Sequence, residues 1–225
     1  EINRCLVGSE MCIRDRNAVV NAAGTWMWNN RTHGELKWTT IETKYFNIHY
    51  HQNLDKIAIQ GASIAEQIRP TLMKQMGLES LPTLDIIFTA EDEVLNGFAV
   101  PANYTIIWVD QNDAALWTGD EKWLRTVLAH ELQHLVYFNT VKGPWWLPEP
   151  MNSLAHGTPA WIVEGIAEYF TEEWRPFRYE LSHRYHVLRN TVHKIQDPHN
   201  DGYSKSLYLA DRFGDSTISL SLIHI

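Results

Sequence analysis

Residues 123–138 read WLRTVLAHELQHLVYF, and no other run constrains the chain as tightly. Leu124, Val127, Leu128, Leu135 and Phe138 recur at the spacing of one helical face. A helix this apolar is expected to be buried. It nevertheless carries His130, Glu131 and His134. A buried helix avoids such groups unless they are paired or bound to a metal. His130 and His134 stand four apart, so both imidazoles can reach one ion from one face. Glu131 sits beside them, within reach of a water on that ion. The pattern is H-E-x-x-H. Thr118 and Glu121 have the spacing of a capping box, which predicts a helix over 121–138.

Catalytic zinc usually takes three protein ligands plus a water, so a third ligand is required. Residues 158–170 read TPAWIVEGIAEYF. Thr158 is placed to cap a helix over 158–171, with Pro159 at its first position. Glu164 and Glu168 lie one turn apart on it. Glu164 is the candidate third ligand, and Glu168 the candidate to orient a zinc histidine by hydrogen bond. Both could instead line a solvated face, but Trp161, Ile162, Ile166, Tyr169 and Phe170 leave little of one. The only cysteines are Cys5 and Cys12, so a thiolate site elsewhere is not available.

Around these segments the chain reads as α+β. Residues 37–50 alternate Tyr45, Asn47 and His49 against Phe46, Ile48 and Tyr50, which predicts one strand or two short ones. Asn53 is the expected cap of a helix to about Met76, kinked at Pro70 and stopped by Gly77. Strands are expected at 84–89 and 104–110. A helix over 176–195 carries an apolar stripe of Phe177, Leu181, Leu188, Val192 and Ile195. A last helix covers about 204–213. Strands come first and helices last, so the expectation is a sheet-bearing N-terminal lobe and a helical C-terminal lobe, with the zinc site in the cleft between them.

Residues 1–16 and 217–225 resemble translated adapter read-through and are set aside from fold reasoning. Residues 17–36 read as a leader or irregular arm, which leaves 37–216 as the domain, truncated at its end. A formal net charge of -8 and a pI near 5.7 argue against a nucleic-acid surface. No run of 18 apolar residues is present, so no segment reads as a membrane span.

H-E-x-x-H followed by W-x-x-E-G-x-A-E-Y resembles the gluzincin metallopeptidases, the thermolysin-like and aminopeptidase-N-like enzymes among them. More closely, the chain resembles the peptidase MA-like domains found ahead of β-propellers in bacterial envelope proteins. That resemblance touches TIETKYFNIHY, NGFAVPANYTIIWV and GYSKSLYLADRFGD, and so covers about 41–215. It implies a zincin-like fold, a Zn²⁺ ion on His130, His134 and Glu164, and a peptide or protein substrate. It also implies an extracytoplasmic location and a β-propeller partner in a longer protein. Between His134 and Glu164 lie 29 residues, more than in the best-studied gluzincins. The excess, KGPWWLPEPMNSLAHGTP, reads as a lid over the cleft; a longer loop costs little entropy.

The resemblance also proposes Tyr203 as donor to the developing oxyanion, although Ser206 stands where the matching signature has Gly. His183, His186, His193 and His199 are its rivals, because thermolysin-like enzymes use a downstream histidine. Gly97, Phe98 and Ala99 are the expected edge strand beside the zinc, pairing with substrate backbone; an ordinary loop is the alternative. The leading functional expectation is a zinc metallopeptidase with Glu131 as general base. The alternative is an inactive peptidase-like binding or scaffold module of a larger envelope protein. A purely structural zinc site is disfavoured, since such sites are usually four-coordinate and Cys-rich.

Overall fold

The computed structural model describes residues 4–5, 12–14, 35–91, 97–109, 120–141 and 157–223. The expected arm up to residue 34, the Thr118 cap and the 142–156 part of the expected lid lie outside the described residues.

Seven strands form one mixed sheet: β1 (Arg4–Cys5), β2 (Cys12–Arg14), β3 (Trp38–Glu42), β4 (Phe46–His51), β5 (Leu84–Thr89), β6 (Gly97–Val100) and β7 (Tyr104–Trp108). Their order is β1-β2-β3-β4-β5-β7-β6. Residues 37–50 make two strands, joined as an antiparallel hairpin that pairs Ile41 with Ile48. The alternation read in the sequence holds. Phe46, Ile48 and Tyr50 are buried, while Asn47 and His49 turn to Asp85 at 2.8 and 3.3 Å. Between β4 and β5 runs α1 (Asp55–Gln75), the crossover that parallel neighbours require. Gly61 lies on α1 directly over the Phe88 ring, where any Cβ would collide. β7 adds parallel to β5, and β6 pairs antiparallel with β7 at the sheet edge. Gly97, Phe98 and Ala99 are therefore edge-strand residues, and the loop alternative is set aside.

Asn53 does not cap α1. Its φ of 73° makes it a left-handed turn residue, and Leu54 supplies the first carbonyl, accepting from Ala58 N–H at 2.9 Å. Gly77 stops the helix as expected, with φ of 66° and Leu78 N–H closing onto Met73 O at 2.9 Å. The helix runs through Pro70 as one element.

The chain divides into two compact units. The first, residues 1–67 and 82–128, holds every strand among the described residues; the described elements of the second, residues 68–81 and 129–225, are helical. The sheet-first, helix-last reading is thus borne out as a mixed α/β organisation. α2 (Asp120–Phe138) ends in the second unit, followed there by α3 (Ala160–Thr171), α4 (Glu180–Leu188), a 3₁₀ turn (Val192–Lys194), α5 (Pro198–Phe213) and α6 (Ser216–Ile223). The C-terminal residues set aside in the sequence are helical up to Ile223.

Three further helical expectations need correction. Thr158 does not cap α3, whose N-cap is Pro159 without a side-chain bond. The single helix over 176–195 breaks up. Phe177 has φ of 69°, and Glu172 accepts from Arg178 and Tyr179 N–H at 3.1 and 2.7 Å, so α4 starts later. Asn190, at φ of 53°, ends it. The last helix starts at Pro198, six residues early, because Asp197 accepts from Asn200 N–H at 3.1 Å and Pro198 fits the first turn.

α3 and α5 pack backbone against backbone. A Cβ on Gly165 would strike Gly202, and one on Gly202 would strike the Trp161 carbonyl and Gly165. The crossing sets the register of the two helices, with Glu164 beside one glycine and His199 one turn before the other. Alanine is intrinsically the better helix former by about 1 kcal/mol. Gly165→Ala should nevertheless lower stability by about 1–3 kcal/mol in thermal or urea unfolding, because the helices must part. Unchanged or raised stability would contradict this packing.

Candidate metal centre

α2 is buried on all sides over its last three turns. Leu128, Ala129, Leu132, Leu135, Val136 and Tyr137 are inside, and so are His130, Glu131, Gln133 and His134. Buried imidazoles need partners. They find them in one another and in α3. His130 Nε2 and His134 Nε2 lie 3.0 Å apart, with the rings edge to face. Glu164 Oε2 stands 3.4 Å from the first and 3.3 Å from the second.

These three distances test the fit of an ion. Four-coordinate zinc, with bonds of about 2.0–2.1 Å, spaces its ligand atoms about 3.3 Å apart. The two nitrogens and the oxygen have that spacing. Glu164 Oε2 and His134 Nδ1 are buried and make no hydrogen bond among the described residues. His130, His134 and Glu164 are thus a group able to hold a metal ion. A second group, His130, Glu168 and His199, overlaps it.

The charges suit a cation. Burial pushes His130 down to about 3. Burial lowers His134 too, but the Glu164 and Glu131 carboxylates outweigh it and the net shift is upward. Two nitrogens this close cannot both carry a proton, and the pair divides accordingly. Burial would raise Glu164, yet three imidazoles hold it ionised far below the usual carboxylate range.

Behind the ligands stands a supporting chain. Glu168 is fully buried; Oε1 lies 3.3 Å from His130 Nδ1 and Oε2 lies 2.9 Å from Arg178 Nη1. Neither is an aligned hydrogen bond. Burial raises the Glu168 carboxyl to about 7, against the pull of Arg178. Tyr179, raised to about 12 by burial and by Glu168, flanks the same carboxyl. Arg178 and Tyr179 were not singled out in the sequence. They follow no motif, and the Phe177 turn that delivers them is invisible in a stretch that reads as helix.

Of the candidate oxyanion donors, only His199 is at the site. Its Nε2 lies 3.1 Å from Glu164 Oε2, and its ring stacks on His130 at 5.9 Å. Asp197 Oδ1 stands 3.3 Å from its other nitrogen. The Glu164 contact, more than any other, raises His199 to about 9. Tyr203 makes no contact with His130, His134 or Glu164 among the described residues. It lies within α5, not just ahead of it, and its ring neighbours are Tyr169, Tyr179 and His183. It lines a cavity of about 550 Å³ with Tyr169 and Asp215. His183 bonds Ser204 at 2.9 Å, and His186 faces Thr191 at 3.0 Å. Gly97, Phe98 and Ala99 belong to the first unit, whereas every residue of the metal group belongs to the second.

Compared with models of protein families the chain matches none, and no curated protein sequence matches it.

Purified protein should bind about one equivalent of a divalent transition metal. His134→Ala should abolish that binding. Glu168→Ala should weaken it by about 10- to 100-fold through loss of the imidazole orienter. Calorimetry or metal analysis reads both. No binding to wild type, or equal binding by all three proteins, would contradict the centre.

Proposed function

We propose that the protein is a zinc-dependent hydrolase of peptide bonds. The observation that carries this reading is the convergence of His130 Nε2, His134 Nε2 and Glu164 Oε2 within 3.0–3.4 Å of one another. Two imidazoles and one carboxylate suit zinc, and three protein ligands leave one position open. When bound, zinc would supply Lewis acidity toward a carbonyl and lower the pKa of a water.

The chain's own residues supply the rest. Glu131 accepts a proton from the attacking water as the C–O bond forms, then passes it to the leaving amine as the C–N bond breaks. His199 donates a hydrogen bond to the carbonyl oxygen as negative charge builds there. Asp197, at its other nitrogen, holds the ring in position. Glu168 and Arg178 keep the His130 imidazole oriented. This arrangement replaces Tyr203 with His199 and follows the thermolysin-like alternative. Extracytoplasmic location and attachment to a β-propeller remain part of the proposal through the resemblance alone.

A mixed peptide library at neutral pH, with and without chelator, tests it. Wild type should cleave, and chelation should stop cleavage. Glu131→Gln should lose about 10²- to 10⁴-fold in turnover with its metal retained. His199→Ala should lose about 10²- to 10³-fold, mostly in kcat. Tyr203→Phe should stay near wild type. Turnover unaffected by Glu131→Gln would contradict the mechanism. Wild type and Glu131→Gln proteins that bind zinc alike and are equally inert would favour the scaffold reading.

A further inference from the structure

Phe177, Leu181 and Leu188, part of the apolar stripe read in the sequence, are on the outside. Phe177 is 59% exposed, Leu181 67% and Leu188 86%. Tyr185 and Val187 are exposed beside them. No residue of α4 is buried. Its inward side is polar, held by His183 Nδ1 to Ser204 Oγ at 2.9 Å and by ring contacts to Tyr203. The amphipathicity of this helix is inverted relative to a packed surface helix. An apolar face of this size is seldom left to water without a use.

Charge says what covers it. The chain as a whole carries -8, yet residues 175–194 hold Arg175, Arg178, Arg184, Arg189 and Lys194 against Glu180 alone. Arg178 is engaged by Glu168, and Arg184 by Glu180. Arg175, Arg189 and Lys194 have no ion pair among the described residues; Arg189 lies over the Tyr185 ring at 5.7 Å. Cations on long stems around protruding Leu, Phe and Tyr side chains are the composition of a helix lying in a lipid interface. A helix with no buried side chain is a ridge. A ridge suits insertion among headgroups, whereas a partner helix needs a groove to lie in.

We propose that Phe177, Leu181, Tyr185 and Leu188, ringed by Arg175, Arg189 and Lys194, form a docking face for an anionic membrane surface. The apolar side chains enter the headgroup–acyl boundary and the cations meet lipid phosphates. The proposal is independent of the metal centre.

Sedimentation of the whole chain with vesicles tests it. Wild type should bind phosphatidylcholine vesicles containing about 30% phosphatidylglycerol, and bind pure phosphatidylcholine at least about tenfold more weakly. Leu181→Ser with Leu188→Ser should weaken binding about tenfold or more. Arg189→Glu with Lys194→Glu should do the same, and about 0.5 M salt should weaken wild type. These positions are exposed, so thermal unfolding should be unchanged in both double variants. His134→Ala should bind vesicles like wild type, which separates this outcome from failure of the metal centre. Absence of vesicle binding, or binding untouched by both double variants, would overturn the proposal. Retention of wild type on polyglutamate without vesicle binding would overturn it in favour of an acidic polypeptide partner.

Discussion

Two imidazole nitrogens held 3.0 Å apart inside a protein repel unless a proton or an ion lies between them. That constraint organises the second unit. α2 buries both rings because its other side chains are apolar, and burial drives the charge off His130. The carboxylates of α3 then supply negative charge from two sides. Glu164 faces the Nε2 edges and Glu168 the opposite nitrogen of His130. Removing one partner from such a set leaves a buried group uncompensated, which costs stability.

The approach of α3 to α5 completes the arrangement. At Gly165 and Gly202 the two backbones touch, and neither position has room for a Cβ. This contact carries His199 to Glu164, while the Asp197 cap that begins α5 also steadies the His199 ring. One short segment, Asp197 to Gly202, therefore starts a helix, orients an imidazole and sets a helix crossing. Arg178 reaches Glu168 from the irregular turn at Phe177, which ties the α3–α4 connection to the same site.

Most of this centre was legible in the sequence because it depends on local spacing. The i, i+4 imidazoles of α2 and the one-turn pair Glu164 and Glu168 follow from helix geometry alone. The strands at 84–89 and 104–108 were legible from runs of apolar and β-branched residues. What failed depends on partners far along the chain. Gly202 reads as a breaker, and only the opposing backbone of α3 explains a glycine inside a helix. The expected start at about 204 therefore misses the Asp197–Pro198 cap and leaves Tyr203 just outside the helix. The stripe over 177–195 has helical spacing, but periodicity cannot tell whether a face meets core or solvent. Glu172, at the C-cap of α3, decides where α4 starts by taking the Arg178 and Tyr179 amides.

X-ray absorption on zinc-loaded protein tests the central claim most directly. The account predicts two imidazole nitrogens and one carboxylate oxygen from the chain, at about 2.0–2.2 Å, with the remaining position filled by water. Substituting His199 should leave that shell unchanged, since His199 reaches Glu164 without joining the group of His130, His134 and Glu164. A sulfur scatterer near about 2.3 Å, or a shell that loses an imidazole when His199 is replaced, would contradict it.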